Sequence, residues 1–281
     1  MLFQRVLTAL ILIPVVILGL FFLPLPLFAL FVIIVCALGA WEWNQFLGFH
    51  SLKERGLFTT SITAVCLIIY FLPFPIETKA RIIDAFLLLS VVWWLVALIL
   101  VIGYPQSTDF WKNSLTLKLL FAIFTLIPFF IGMVKLRTIN YHVDTFYGAF
   151  ALLYVMVLVW AADSGAYFVG RFCGKNKLAP AVSPGKTIEG FIGGVICSLI
   201  IVFIVYFCRI FTDTSFMPFL VSSLLAIFAS VLGDLTESMF KREANIKDSG
   251  KLIPGHGGIL DRIDSLTAAI PVFTTTLFYL L

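Results

Sequence analysis

Long apolar runs separated by short polar stretches dominate the chain, and this pattern predicts membrane-spanning helices. A helix needs roughly 20 apolar residues to cross the hydrocarbon core of a bilayer. The runs are continuous, whereas a transmembrane β-barrel shows segments of about ten residues with alternating polarity. The sequence therefore predicts an all-α, polytopic integral membrane protein with about nine transmembrane helices, near residues 6–23, 25–41, 57–73, 83–103, 115–134, 145–162, 188–208, 217–236 and 262–281.

The N-terminal region leaves two alternatives open. Pro24 and Pro26 suit a tight turn between the first two spans, although one long broken helix is the other interpretation. Arg5 followed by an apolar run resembles a signal peptide. However, the run is too long and no small-residue cleavage site follows it, so we expect a retained first span.

Composition supports the membrane interpretation. Of the 281 residues, 61% are hydrophobic and only 12% are charged, about half the charged share of a soluble domain. A single soluble core cannot bury that much apolar surface. An ordinary cytosolic globule and a disordered chain are thus excluded. A nucleic-acid-binding protein is excluded as well, because it needs a basic face on a soluble fold.

The distribution of lysines and arginines predicts the orientation, because short cytoplasmic loops carry an excess of both. With a cytoplasmic N-terminus and nine alternating spans, fourteen of the 19 basic residues fall on the cytoplasmic side. The five that fall outside are Lys79, Arg81, Lys135, Arg137 and Arg209. We therefore expect a cytoplasmic N-terminus, with the two long polar loops on the same face.

Polar chemistry is concentrated in the C-terminal half. Residues 1–150 form a hydrophobic N-terminal transmembrane region, and residues 151–281 form a C-terminal transmembrane region that carries the candidate site. Nine of the 15 acidic residues lie between Asp163 and Asp264. In the N-terminal region, Trp41, Trp43 and Trp111 suit the aromatic belt at the membrane interface.

The first group of candidate residues precedes the predicted seventh span. Its glycines, hydroxyls and lysine resemble a helix start that binds an anion, where backbone N–H groups converge on phosphate. The P-loop spacing is absent, and a flexible basic loop at anionic headgroups is the alternative. An ionisable residue at the edge of a span is often functional, although it also suits interfacial water. The residues concerned are Asp163, Ser183, Lys186 and Thr187.

The second group is denser and lies near the last two spans. If residues 234–242 are helical, their charged side chains share one face, and Asp261 and Asp264 share a face if the last span starts near Leu260. Clustered carboxylates need a cation to offset their repulsion, and hard oxygen ligands indicate Mg²⁺ or a similar ion. Neighbouring basic residues would hold phosphate, which is typical of phosphoryl or nucleotidyl transfer. A solvated, salt-bridged loop is the alternative.

Both groups resemble the phosphatidate cytidylyltransferase family, also called the CDP-diacylglycerol synthases. The C-terminal match comprises Lys241, Arg242, Lys247, Asp248, Gly250, Pro254, Gly255, His256, Gly257, Gly258, Leu260, Asp261, Arg262 and Asp264. The upstream match comprises Asp163, Ala166, Tyr167, Gly170, Arg171, Gly174, Lys175, Ser183, Pro184, Lys186, Thr187, Glu189 and Gly190. Residues 1–150 match only in being hydrophobic.

The resemblance implies transfer of CMP from CTP to phosphatidic acid, which gives CDP-diacylglycerol and pyrophosphate. It also implies a homodimer, which we expect in the bacterial inner membrane. The charge distribution places the active site on the cytoplasmic face, and composition predicts no nucleic-acid partner. The predicted catalytic residues are Asp234, Lys241, Arg242, His256, Asp261 and Arg262. The predicted substrate-binding residues are Asp163, Arg171, Lys175, Ser183, Lys186, Thr187, Glu189, Glu237, Lys247 and Asp248. One or two Mg²⁺ ions are expected at Asp234, Asp261 and Asp264.

His256 has two interpretations: it donates to a phosphate or to pyrophosphate, or it packs in the glycine-rich turn. Three other functions compete with the transferase. In a transporter or channel, Asp163 and Asp234 would line an ion path, but no internal repeat is evident. A CDP-alcohol phosphotransferase would carry an Asp-Gly-x-x-Ala-Arg pattern, which is absent. A structural scaffold would not need the polar cluster.

Overall fold

The computed structural model describes residues 2–211, 214–253, 255 and 257–280, with the backbone alone for residues 2–7 and 9. Helices dominate this part of the chain, as the all-α prediction requires. The helices are α1 Leu2–Phe22, α2 Leu25–Leu47, α3 Leu52–Phe71, α4 Ile76–Ile102, α5 Thr108–Trp111, α6 Leu115–Thr138, α7 Tyr147–Cys173, α8 Ile188–Phe207, α9 Phe216–Glu243 and α10 Leu260–Leu280. The strands are β1 Lys177–Ala179 and β2 Ser183–Thr187.

Each of the nine predicted spans coincides with a helix. Within the described residues, eight helices are long and apolar enough to cross a membrane. The ninth predicted span corresponds to α1, whose described apolar part, Leu10–Phe22, is shorter than those of the other eight. The prediction of a polytopic membrane protein is therefore confirmed, whereas nine crossings and a cytoplasmic N-terminus stay predictions.

Two helices extend well beyond the predicted spans. The predicted spans end at residues 162 and 236, but α7 continues to Cys173 and α9 to Glu243. Hydropathy falls where polar residues begin, although the backbone remains helical. In α9, Lys241 pairs with Glu237 one turn earlier, which supports the helix beyond its apolar part. These extensions carry five of the candidate residues, namely Asp163, Arg171, Glu237, Lys241 and Arg242.

An aromatic cluster joins the two halves of the chain. The Phe240 ring of α9 lies 5.4 Å from that of Trp43 and 5.1 Å from that of Trp111, measured between centroids. Phe46 and Phe121 complete the cluster around Phe240. Trp43 and Trp111 are only 3% and 1% exposed, so their expected place in a lipid-facing belt is wrong. Their rings instead fill the protein interior around α9.

The segment between α7 and α8 forms a β-hairpin, where the sequence predicted only a loop. β1 and β2 pair antiparallel, with Lys177 opposite Thr187 and Ala179 opposite Ser183. Arg242 on α9 donates from Nε to the Val182 carbonyl of the hairpin turn, at 3.1 Å. The hairpin is thereby held against the polar end of α9.

Charged residues gather at both ends of the helices. At the end opposite the hairpin, Arg137 donates to the carbonyls of Leu20 and Thr145. Lys135 pairs with Asp84 there, at 2.9 Å. Both basic residues belong to the five that the charge distribution assigned to the outer side. The structure therefore separates them from the candidate site, although it contains no membrane to define inside and outside.

Candidate active site

A buried ion cluster connects α9 with α10. Lys241 Nζ lies 2.9 Å from Glu237 Oε2 and 2.8 Å from Asp261 Oδ1. The side chains of Lys241, Glu237 and Asp261 are only 15%, 4% and 7% exposed. The prediction that Glu237 and Lys241 share a face of α9 is thus confirmed. Lys241 is enclosed between two carboxylates.

Asp261 also organises the loop that precedes α10. Its Oδ2 accepts hydrogen bonds from the backbone N–H groups of Ser249 and Gly258, at 2.9 and 2.8 Å. Its Oδ1 accepts from Lys241. Both carboxylate oxygens therefore have protein donors, and Oδ1, which accepts from Lys241 alone among the described residues, keeps a lone pair that suits a metal ion.

Close contact between α9 and α10 brings further carboxylates together. A Cβ atom at Gly233 would lie 2.5 Å from the Asp264 carbonyl oxygen, so any larger residue would separate the helices. Asp264 and Glu237 consequently line one small cavity between the helices. Glu237 Oε1 is buried there without a hydrogen-bond partner among the described residues. An unpartnered carboxylate oxygen beside a second carboxylate suits a cation.

A cavity of about 440 Å³, called here the main cavity because it contains charged candidate residues, lies between α7, α8, α9 and the hairpin. Lys186 Nζ lies 2.5 Å from Asp234 Oδ2 at its wall. Arg171 lines the same cavity and donates to the Tyr167 hydroxyl at 2.8 Å. Asp163 completes the charged lining. The cavity thus combines cations, which suit phosphate, with carboxylates, which suit a metal ion.

Polar contacts at the start of α8 shape one wall of this cavity. Thr187 Oγ1 accepts a hydrogen bond from the Gly190 N–H at 3.1 Å, which caps the helix. Glu189 accepts from the Lys175 N–H at 3.0 Å and from Asn176 Nδ2 at 2.7 Å. Glu189, predicted as a substrate-binding residue, contacts the backbone of Lys175 and so holds the segment between α7 and the hairpin.

A second cavity of about 550 Å³ adjoins the first and is lined almost entirely by apolar side chains. Leu178, Phe191 and Val231 belong to the linings of both. Its other wall comes from α4, including Leu98 and Ile102. A charged cavity beside an apolar one suits a ligand with an anionic head and a hydrocarbon tail.

The remaining predicted residues have different positions. Arg242 supports the hairpin, and His256 lies outside the described residues. The backbone of Lys175 is bound by Glu189, as described above. Four further predicted residues do not line the main cavity in the described part of the chain. Ser183 is half-buried, and Lys247, Asp248 and Arg262 are exposed.

The sequence analysis missed Glu42, which extends from α2 into the same end of the protein. Glu42 is 2% exposed, and its carboxylate accepts from the backbone N–H groups of Ile259 and Leu260. Tyr104, between α4 and α5, was missed too; it donates to Glu243 at 3.0 Å. Glu42 had a usable signal, since an ionisable residue at the edge of an apolar span is expensive and usually functional.

The carboxylates of the site outnumber the lysines paired with them. Lys186 and Lys241 are the paired cations. Over the described residues, no group of three or more His, Cys, Asp or Glu side chains already has the arrangement of a metal site. An excess of carboxylates nevertheless fits a divalent cation, because it would offset their mutual repulsion. The carboxylates are those of Asp163, Asp234, Glu237, Asp261 and Asp264.

Together, the fold and the site define a polytopic membrane protein with a phosphate-suited cavity at one end of its helices. A model of the cytidylyltransferase family matches residues 3–280, and the chain therefore belongs to that family. A phosphatidate cytidylyltransferase of Haemophilus influenzae is 48% identical, with both chains covered completely. One of Pseudomonas aeruginosa is 43% identical over 99% of this chain and 97% of its own. One of Staphylococcus haemolyticus is 39% identical over 64% of this chain and 76% of its own.

Family membership decides among the competing functions. Asp163 and Asp234 line one cavity, as the transporter hypothesis also expects. However, the full-length similarity is to cytidylyltransferases, which excludes the transporter, the CDP-alcohol phosphotransferase and the scaffold as the primary function.

Proposed function

We propose that this protein transfers the CMP moiety of CTP to phosphatidate, which gives CDP-diacylglycerol and pyrophosphate. The chief structural support is the charged cavity that adjoins an apolar one. The first suits the phosphates of both substrates, and the second suits an acyl chain. The bacterial relatives at 48% and 43% identity carry the corresponding name.

The reaction needs no side-chain base. A phosphate oxygen of phosphatidate, already anionic near pH 7, attacks the α-phosphorus of CTP. The bond between the α-phosphorus and the bridging oxygen breaks, and pyrophosphate leaves with its electron pair. The obstacle is the approach of two polyanions, so cations and positioning supply the catalysis. Arg171 and Lys186 are the basic residues that line the cavity, and we assign phosphate binding to them.

Magnesium is part of the proposal. Asp234 and Asp264 would hold it, because Asp234 lines the main cavity and Asp264 lies beside the unpartnered oxygen of Glu237. Asp261, the third predicted ligand, would join them through Oδ1, which in the described part of the chain accepts a hydrogen bond from Lys241 alone. One or two ions would neutralise phosphate charge. The chain's own side chains keep the roles of binding and orientation.

We also propose a cytoplasmic site, in the inner membrane of a bacterium, within a homodimer. CTP is a cytosolic substrate, and the charge distribution assigns the candidate loops to the cytoplasmic side. Support comes from Lys135 and Arg137, which were assigned to the outer side and lie at the other end of the helices from the hairpin.

The test is transfer of label from radioactive CTP to lipid. The purified protein in liposomes would receive phosphatidate, CTP labelled at the α-phosphate, and Mg²⁺. We expect label in the lipid phase, none with EDTA, and none when diacylglycerol replaces phosphatidate, because diacylglycerol lacks the attacking oxygen. Asp234→Asn should abolish labelling, and Lys53→Ala, which alters an exposed residue on α3, should not. Absence of labelling by folded wild-type protein across several acyl chains would refute the proposal.

A further inference from the structure

Glu42 joins the N-terminal half of the chain to the loop of residues 244–259, called here the α9–α10 loop. Glu42 Oε2 accepts from the Leu260 N–H at 2.8 Å and from Ser249 Oγ at 3.1 Å. Glu42 Oε1 accepts from the Ile259 N–H at 3.0 Å. One turn further on α2, Gln45 Nε2 donates to the Ser249 carbonyl. Three side-chain atoms of α2 therefore hold the loop at Ser249 and at its C-terminal end, where α10 begins.

Glu42 on α2 caps the N-terminus of α10. The first N–H groups of a helix have no partner within it, and Glu42 accepts two successive ones at the start of α10. Ser249 Oγ accepts the third, from Asp261. None of the described lysines, arginines or histidines pairs with Glu42. Its charge is thus compensated by N–H donors and by the helix dipole.

The glycines of the loop permit this approach. A Cβ atom at Gly250 would lie 2.2 Å from Glu42 Oε1, and one at Gly258 would lie 2.4 Å from Glu42 Oε2. Any side chain at either position would push the loop away from the carboxylate. Both glycines belong to the motif that the sequence analysis singled out, and their contact residue lies about 210 positions earlier in the chain.

The same loop is attached to the ion cluster. The Ser249 N–H donates to Asp261, and its hydroxyl donates to Glu42. Asp261 in turn pairs with Lys241. Glu42 itself is not among the residues that line the main cavity in the described structure, so it acts on the site through Ser249 and the first turn of α10.

We propose that Glu42 is a positioning residue for the transfer reaction, which fixes the α9–α10 loop and the start of α10 in the reactive arrangement. Its carboxylate is specifically required, because an amide would turn an N–H₂ group towards backbone donors. This inference rests on the proposed function, since its main readout is the turnover of that reaction. It assigns a role to the hydrophobic N-terminal half.

The experiment compares Glu42→Gln with Glu54→Gln in liposomes. Glu54 is a matched control, because it accepts the Ser51 N–H at the start of α3 and is solvent-exposed. For Glu42→Gln we expect kcat per folded molecule to fall about 100-fold, since misplacement by about 1 Å has that effect. The KM for CTP should change less than about threefold, because Arg171 and Lys186 are untouched. A loss of stability alone would instead lower the folded fraction at constant kcat.

A second readout does not depend on activity. Lys247 and Lys251 are exposed in the α9–α10 loop, so trypsin should cleave there several times faster in Glu42→Gln than in Glu54→Gln. If Glu42→Gln does not fold, Ser249→Ala and Gln45→Leu remove single links of the same contact and should lower kcat at constant KM. Wild-type kcat and cleavage rates in the folded variants would overturn the inference. An inactive wild-type protein would refute the proposed function, and the cleavage rates would still decide the role of Glu42.

Discussion

Replacing Lys241 with methionine tests whether the ion cluster holds α9 against α10. Methionine keeps most of the side-chain volume but leaves Glu237 and Asp261 without their shared cation. Both carboxylates are less than one-tenth exposed, so water replaces the lost partner poorly. We therefore expect Lys241→Met to destabilise the fold as well as to reduce transfer.

The size of the expected destabilisation follows from the two ion-pair distances of Lys241. Unit charges 2.8 to 2.9 Å apart attract by about 6 kcal/mol per pair at an effective dielectric constant of about 20. Desolvation of the three groups offsets much of this gain, and removal of one partner of a buried pair typically costs about 3–5 kcal/mol. For a chain of 281 residues, that loss corresponds to a fall in Tm on the order of 5–10 °C.

The assay is thermal unfolding of the purified protein in detergent, with Lys53→Met as the control for loss of an exposed lysine. Glu237→Gln leaves one fewer carboxylate for Lys241 to compensate. In the Glu237→Gln background, the free energy of unfolding lost through Lys241→Met should therefore be about 0.5–3 kcal/mol smaller than in the wild type. A wild-type Tm combined with lost transfer would refute the reasoning, and would show that Lys241 faces substrate.

Three further predictions concern the cavity, the loop and the topology. Lys186→Gln should raise the KM for CTP about 10- to 100-fold, because a hydrogen bond to a charged group contributes about 1.5–3 kcal/mol; an unchanged KM in steady-state kinetics would contradict its role. Asp261→Asn should abolish transfer while the protein stays folded in detergent, as gel filtration and activity would establish, and retained activity would count against the site. Cys173 ends α7 on the side of the hairpin, whereas Cys208 follows the far end of α8, and both are exposed. In spheroplasts, an impermeant maleimide should therefore label Cys208 but not Cys173, and the reverse pattern would contradict the proposed orientation.

Local sequence determined the helices and the chemistry on each of them. Apolar length sets where a chain crosses a bilayer, so the predicted spans coincide with helices α1–α4 and α6–α10. Spacing of i, i+4 within one helix placed Glu237 beside Lys241. The family was recognisable for a similar reason, because its motifs are short segments of consecutive residues.

Only the tertiary structure decided which of these groups meet. The sequence left Glu42 in a region without assigned chemistry, yet it caps a helix that begins 218 positions later. Asp261 was expected to bind metal, and its oxygens contact Lys241 and two loop N–H groups. Such pairings depend on how closely the helices approach, which Gly233 and Gly258 permit by lacking a side chain. Hydropathy carries no information about that approach, because it reports only the environment of each segment and not its neighbour.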